Sequence, residues 1–175
     1  MRLFHRAAAL AGLAALMCGM GCSPAPYSRL RTYRMGEKVQ LGKLVYTVYE
    51  GQWLTQLGEG TGARIPGNRY FLIRVSVANT GSGESMVPNM SITDDNGNTC
   101  QELSSGDGVP QWIGFLRTAR PNQALQGNVV FDCAPRTYKL RMSSENEKTS
   151  ALVEIPLSFG TETPELPVPE TTQKQ

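Results

Sequence analysis

Between Tyr70 and Asn79 the chain alternates with a period of two: Phe71, Ile73, Val75 and Val77 fall on one side, Arg74, Ser76 and Ala78 on the other. That is the period of a pleated strand with one buried face, and wound as a helix the same residues would scatter around the axis. The register is tightly specified, because a slip of one residue would bury Arg74. Asn79-Thr80-Gly81-Ser82-Gly83 then ends the strand as a turn. A strand of this kind needs a second layer to cover its apolar face.

Further strand signals follow at regular spacing. Leu44–Tyr49 is β-branched and aromatic, with a short partner expected at Lys38–Leu41. Ser91–Thr93 and Thr99–Leu103 flank Asp94-Asp95-Asn96-Gly97-Asn98, whose Asn-Gly pair marks a hairpin. Gln111–Arg117 is expected as a strand after a Gly-rich loop, and Leu125–Asp132 places Leu125, Val129 and Phe131 on one side. Thr137–Met142 and Ala151–Leu157 complete a set of about eight. With 18 Gly and 11 Pro for turns, no repeat and no helical periodicity beyond the N-terminal segment, the expected class is all-β: an antiparallel sandwich of seven to eight strands.

The N-terminus reads as an export signal. Arg2 and Arg6 make a positive start, and Ala7–Met17 is an apolar run too short to remain as a membrane-spanning helix. Gly21-Cys22 resembles the end of a bacterial lipobox, in which the cysteine is acylated and becomes the new N-terminus. Gly19 departs from that pattern, which favours an aliphatic residue there, and an ordinary secretory signal is the alternative. The expected organisation is a signal peptide over 1–21, a lipidated N-terminus and linker over 22–34, the sandwich over 35–159 and a disordered tail over 160–175 rich in Pro, Thr and Glu. Two acyl chains on Cys22 would make the membrane a stable partner, the outer membrane in a cell with two, since Ser23 follows the cysteine.

Removing Arg2 and Arg6 from the 17 basic residues leaves 15 against 15 acidic ones, a net charge of zero after the signal. Nucleic-acid binding, which needs a clustered basic surplus, is not expected. The local cluster Arg29, Arg31 and Arg34 reads as a solvated linker, with anionic headgroups as its other possible contact. In an oxidising compartment Cys100 and Cys133 are expected to pair, two buried thiols being the alternative.

The order of these elements resembles a known family. Met35-Gly36-Glu37, Leu41-Gly42 and Tyr46-Thr47-Val48, then Tyr70 to Gly81, the Asp94–Gly97 hairpin and Gly127-Asn128-Val129-Val130-Phe131-Asp132 are similar to the telokin-like, immunoglobulin-fold domain of unknown function common in bacterial lipoproteins. The resemblance spans about residues 35–157 and implies an immunoglobulin-like sandwich on an exported lipoprotein. It brings no activity and no site residues, and the fold alone licenses none.

The only histidine, His5, lies in the signal segment. The remaining chain therefore lacks the base of Ser-His-Asp and Cys-His catalysis and any histidine ligand for zinc. Asp94, Asp95, Asp107 and Asp132 could supply a carboxylate pair, but acids on turns are usually just solvated. Asp94, Asn96 and Asn98 alternate like calcium ligands, yet the glycine is misplaced and no Glu occupies position 105, so an Asx-bonded hairpin is the better reading. Gly58–Gly62 lacks the lysine of a phosphate loop. No enzyme activity, metal or cofactor is expected. Trp53 and Trp112 border Gly-rich loops and are the candidate interaction residues, with core packing the commoner fate of a tryptophan. The expected function is a binding module that offers the loops Leu54–Gly67 and Ser104–Gln111 to a protein or glycan; a small-molecule binder is the alternative.

Overall fold

The computed structural model describes residues 30–158. Two long strands organise them: β3 (Leu44–Leu54) and β4 (Arg69–Asn79). They follow β1 (Thr32–Arg34) and β2 (Lys38–Leu41) and precede β5 (Ser85–Val87), β6 (Ser91–Thr93), β7 (Thr99–Gln101), β8 (Arg117–Ala119), β9 (Ala124–Cys133), β10 (Tyr138–Ser143) and β11 (Ser150–Ile155). One sheet has the order β2-β3-β4-β9, the other β1-β11-β10-β6-β7, and β5-β8 forms a separate ribbon. All strand pairings are antiparallel except β1 with β11, and isolated parallel bridges join Asn79 to Pro121 and Trp112 to Asn128. The result is the expected immunoglobulin-like β-sandwich.

The alternation of β4 does what its spacing demands. Phe71, Ile73, Val75 and Val77 are at most 1% exposed and share one core with Tyr46, Val129, Phe131, Leu140 and Val153. In β3 the register shifts between Val48 and Glu50. This bulge reverses the parity of the strand, so Leu44, Tyr46 and Val48 point inward before it and Trp53 after it. Gly51 follows the bulge because a Cβ there would lie 2.8 Å from the Phe71 ring. The Tyr46 hydroxyl donates to Ser143 O at 2.7 Å across the sheets, and burial pushes its pKa well above the ordinary phenol value.

Several boundaries differ from the sequence expectation. Thr32–Arg34, expected as linker, is a strand, because the outer edge of β11 is free to pair and Tyr33 packs on the core. The expected strand Gln111–Arg117 is a loop up to Arg117: Gln111 (φ 47) and Gly114 (φ 84) adopt left-handed conformations that no strand accommodates. The last strand stops at Ile155, before Pro156, which has no N–H to donate. Residues 1–29 and 159–175, which include the expected signal peptide and the expected disordered tail, lie outside the described residues.

Cys100 and Cys133 are joined, with a Cα separation of 6.4 Å. The bond ties the edge strand β7 of one sheet to the end of β9 in the other. On a chain-entropy basis a loop of this length contributes about 3–4 kcal/mol.

The sandwich has two distinct ends. At one, Ser143 pairs with Ser150, Leu44 with Asn79, and the 144–149 turn touches Lys43 and Ser85 through Glu145. The chain arrives at this end, since Arg31 O accepts from Leu152 N. At the other end Arg69 pairs with Cys133, Leu54 with Tyr70, and Tyr138 with Ile155.

Placing Asp at position 75 leaves an unpaired charge among fully buried side chains, whereas position 76 is half-buried on the outer face. Val75→Asp is expected to cost more than about 4 kcal/mol and abolish cooperative thermal unfolding. Ser76→Asp is expected to melt close to the wild type; equal melting of the two variants would contradict the face assignment.

Candidate functional site

The outer face of β4 and β9 carries apolar residues of its own. Tyr70, Leu72 and Val130 are buried there with Leu57 and Val109, and Leu54, Leu103 and Trp112 pack against them. The cover is the segment 103–116, which leaves β7, crosses the outer face of the four-stranded sheet and returns as β8. Leu103 N donates to Val130 O at 2.8 Å, Ile113 N to Asn128 O at 3.2 Å, and Asn128 N to Gln111 O at 2.9 Å. It is a compact loop packed by its own side chains.

Its neck is closed by charge. Glu102 and Arg117, the residues flanking the loop, form an ion pair with side chains 0% and 2% exposed. Arg117 Nη2 donates to Glu102 Oε2 at 2.8 Å and to Pro88 O at 3.2 Å, its Nη1 to Glu102 Oε1 and to Gly114 O. Glu102 Oε2 also accepts from Met90 N at 2.9 Å. Truncating one partner of such a pair leaves the other buried and uncompensated, a cost of about 3–5 kcal/mol.

Two glycines let the loop lie flat. A Cβ on Gly106 would be 1.9 Å from Trp112 Cδ2, so the indole rests directly on this backbone. A Cβ on Gly127, in β9, would be 2.0 Å from Gln111 O. The other side of the loop meets the β3–β4 connection: a Cβ on Gly108 would be 2.7 Å from Gly58 N. Arg64 bridges the two, its Nη1 donating to Asp107 O at 2.9 Å and to Ser105 O and Oγ at 3.4 and 3.3 Å. Leu57 and Arg64 exchange backbone bonds of 3.0 and 2.8 Å, and the two Asp132 oxygens accept from Gly67 N and Asn68 N. The sequence-expected contact loops thus form one continuous, internally bonded surface, on which Ile65 is 72% exposed.

The two tryptophans separate. Trp53 is a correction: it is buried, stacked on Phe71 at 4.1 Å and 6.1 Å from Tyr138, because the β3 bulge turns it inward. It offers no surface contact. Trp112 is half-buried, its indole against Gly106 and its Nε1 enclosed without an acceptor among the described residues, so it seats the loop. Cys22 lies outside the described residues.

The candidate carboxylates serve structure at separate points. Asp94 Oδ1 accepts from Asn96 N and Asn98 N, its Oδ2 from Asn98 Nδ2 and Arg136. The Asn98 side-chain bond, with the other donors, holds its pKa below the ordinary carboxylate value. The hairpin with the calcium-like alternation is therefore an Asx turn whose asparagines donate to Asp94. Asp95 pairs with Lys139, and Asp107 accepts from Ser105 Oγ. Among the described residues no three His, Cys, Asp or Glu side chains converge as metal ligands.

Fold and loop define a class, the immunoglobulin-like β-sandwiches. Within it, the family described as Domain of unknown function (DUF4352) matches residues 33–151, and the chain belongs to that family. Solved structures share the fold at low identity. The yjhA protein from Bacillus subtilis is 14% identical, with a TM-score of 0.57 over 70% of this chain and 99% of that one. The secreted protein MPT63 from Mycobacterium tuberculosis is 16% identical, with a TM-score of 0.54 over 74% and 98%. A β-sandwich protein from Clostridium difficile 630 is 12% identical, with a TM-score of 0.50 over 72% and 94%. Among curated proteins none matches the chain.

Because the loop depends on two glycine contacts, Gly106→Ala and Gly127→Ala are each expected to destabilise by about 1–3 kcal/mol through overpacking. Gly106→Ala should also red-shift Trp112 emission. Gly83→Ala, where a Cβ meets nothing within 4 Å, is the control. Wild-type melting and emission in Gly106→Ala would show that Trp112 does not rest on that backbone.

Proposed function

We propose that the chain is an exported, lipid-anchored envelope protein whose sandwich is a non-enzymatic binding module for a protein or glycan partner. The observation that carries this reading is the fusion of the 54–67 and 104–111 loops into one bonded surface at the end remote from the chain's arrival. Loops already held in shape lose little freedom on binding, which favours affinity. The exposed Ile65 and the half-buried Trp112 supply apolar contact, and the backbone of the Gly-rich stretches supplies polar contact. The absence of histidine after residue 5 and the engagement of Asp94, Asp107 and Asp132 in turns and loops support binding over catalysis. Cys22 in a lipobox-like setting supports the anchor, and the secreted nature of MPT63 accords with export.

The small-molecule alternative calls for an apolar concave cavity. The hollow of about 360 Å³ beside Asn89, Ser91, Gln101 and Arg141 is polar and lies on an outer sheet face. A broader one of about 490 Å³ spreads over Val45, Thr47, Tyr49 and Ser76, also outside the sandwich. The loop surface is the better supported site.

The mature chain carrying Ile65→Asp should capture its partner from cross-linked envelopes about tenfold less well than wild type, the loss typical of an apolar anchor, with an unchanged melting temperature. Lys148→Glu, at the opposite end, should change neither. Undiminished capture by Ile65→Asp would contradict this placement of the contact.

A further inference from the structure

The ribbon β5-β8 has a face that none of the described residues covers. Ser85 and Val87 of β5, and Arg117 and Ala119 of β8, point inward, while Met86 is 64% exposed and pairs with Thr118. Leu116, one residue before β8, is 87% exposed, the most exposed large apolar residue among those described. Ser85 Oγ donates to Glu145 in the 144–149 turn, and Asn79 Nδ2 donates to Ala119 O, so the ribbon belongs to the end where the chain arrives. Leu30, 38% exposed, stands at that same end, two residues before the Thr32–Leu152 pair. From Cys22 to Leu30 the chain can span at most about 28 Å.

We infer that this end of the sandwich rests on the lipid bilayer, with Met86 and Leu116 dipping into the interface beside the acylated Cys22. The inference rests on the lipid anchor proposed above. A short tether makes the second contact intramolecular, so two apolar side chains suffice where they would not hold a free protein. Two ion pairs lie here, Lys43 with Glu145 at 3.4 Å and Arg120 with Glu84 at 3.8 Å, while the exposed Arg31 and Lys148 have no carboxylate partner among the described residues. The contact is apolar in origin, and Arg31 and Lys148 can add attraction to anionic headgroups. It also orients the molecule, holding the 54–67 and 104–111 surface away from the membrane.

Tryptophan quenching by phosphatidylcholine vesicles with brominated acyl chains tests this on the full lipid-bearing chain. The wild type should float with the vesicles and keep its emission, because Trp53 and Trp112 are packed within the domain. Leu116→Trp and, as an independent variant, Met86→Trp should lose most of the added emission already in neutral lipid, and no less when anionic lipid is added. Ile65→Trp should lose none. Flotation with Leu116→Trp and Met86→Trp as bright as Ile65→Trp would overturn the docking and leave the anchor standing. Failure of the wild type to float, with no acyl mass on its N-terminal residue, would remove the anchor and this inference together. A concentration-dependent shift of Leu116→Trp emission in the Cys22→Ala chain without vesicles would mean that a second copy covers the patch, and would equally overturn it.

Discussion

The buried pair of Glu102 and Arg117 is the constraint on which the outer architecture depends. It closes the neck of the 103–116 loop, caps Met90 N and gathers the carbonyls of Pro88 and Gly114. One arginine and one carboxylate thereby fix the start of β6, the end of β7 and the start of β8 relative to each other. Without that closure the loop could not be drawn across β4 and β9, and Tyr70, Leu72 and Val130 would face water. Burying two charges is costly and is repaid only when the remaining hydrogen-bonding groups are largely met, as they are here apart from Arg117 Nε.

The inner core was legible from period-two alternation because one sheet face against another leaves no other solution for Phe71, Ile73, Val75 and Val77. The outer cluster was not. Tyr70 and Leu72 stand on the face that alternation assigns to solvent, and only a segment distant in sequence makes them core. Glu102 and Arg117 gave a weak signal, opposite charges bounding a Gly- and Ser-rich stretch, which many solvated loops also show. Trp53 shows a second limit. Extending the parity of Leu44, Tyr46 and Val48 puts position 53 outside, and the bulge that reverses it is hinted at only by the polar run Glu50-Gly51-Gln52. Cys100–Cys133 was legible from compartment and count, although spacing alone could not bring β7 to β9.

The two proposed tasks fall at opposite ends of the sandwich. One end takes the chain from its proposed anchor and carries two exposed apolar side chains; the other carries the fused loops. The strands between are fixed by register and by an inter-sheet disulfide, so an orientation imposed at one end carries to the other. That arrangement suits a module that presents a recognition surface outward from an envelope, and the chemistry of the surface, apolar spots set among backbone polar groups, suits binding.

The central claim is that the 103–116 loop is a fixed part of the fold and can hold its neighbour in shape for binding. Native-state hydrogen exchange of the amides of Leu103, Val109, Ile113 and Leu57 measures this most directly. The account predicts that all four exchange slowly and together, near the rate set by opening of the sandwich, since each donates to a backbone carbonyl within the loop, the β3–β4 connection or β9. Exchange as fast as that of the exposed Ser82 and Gly83 amides would mean that the loop opens freely, and would contradict it.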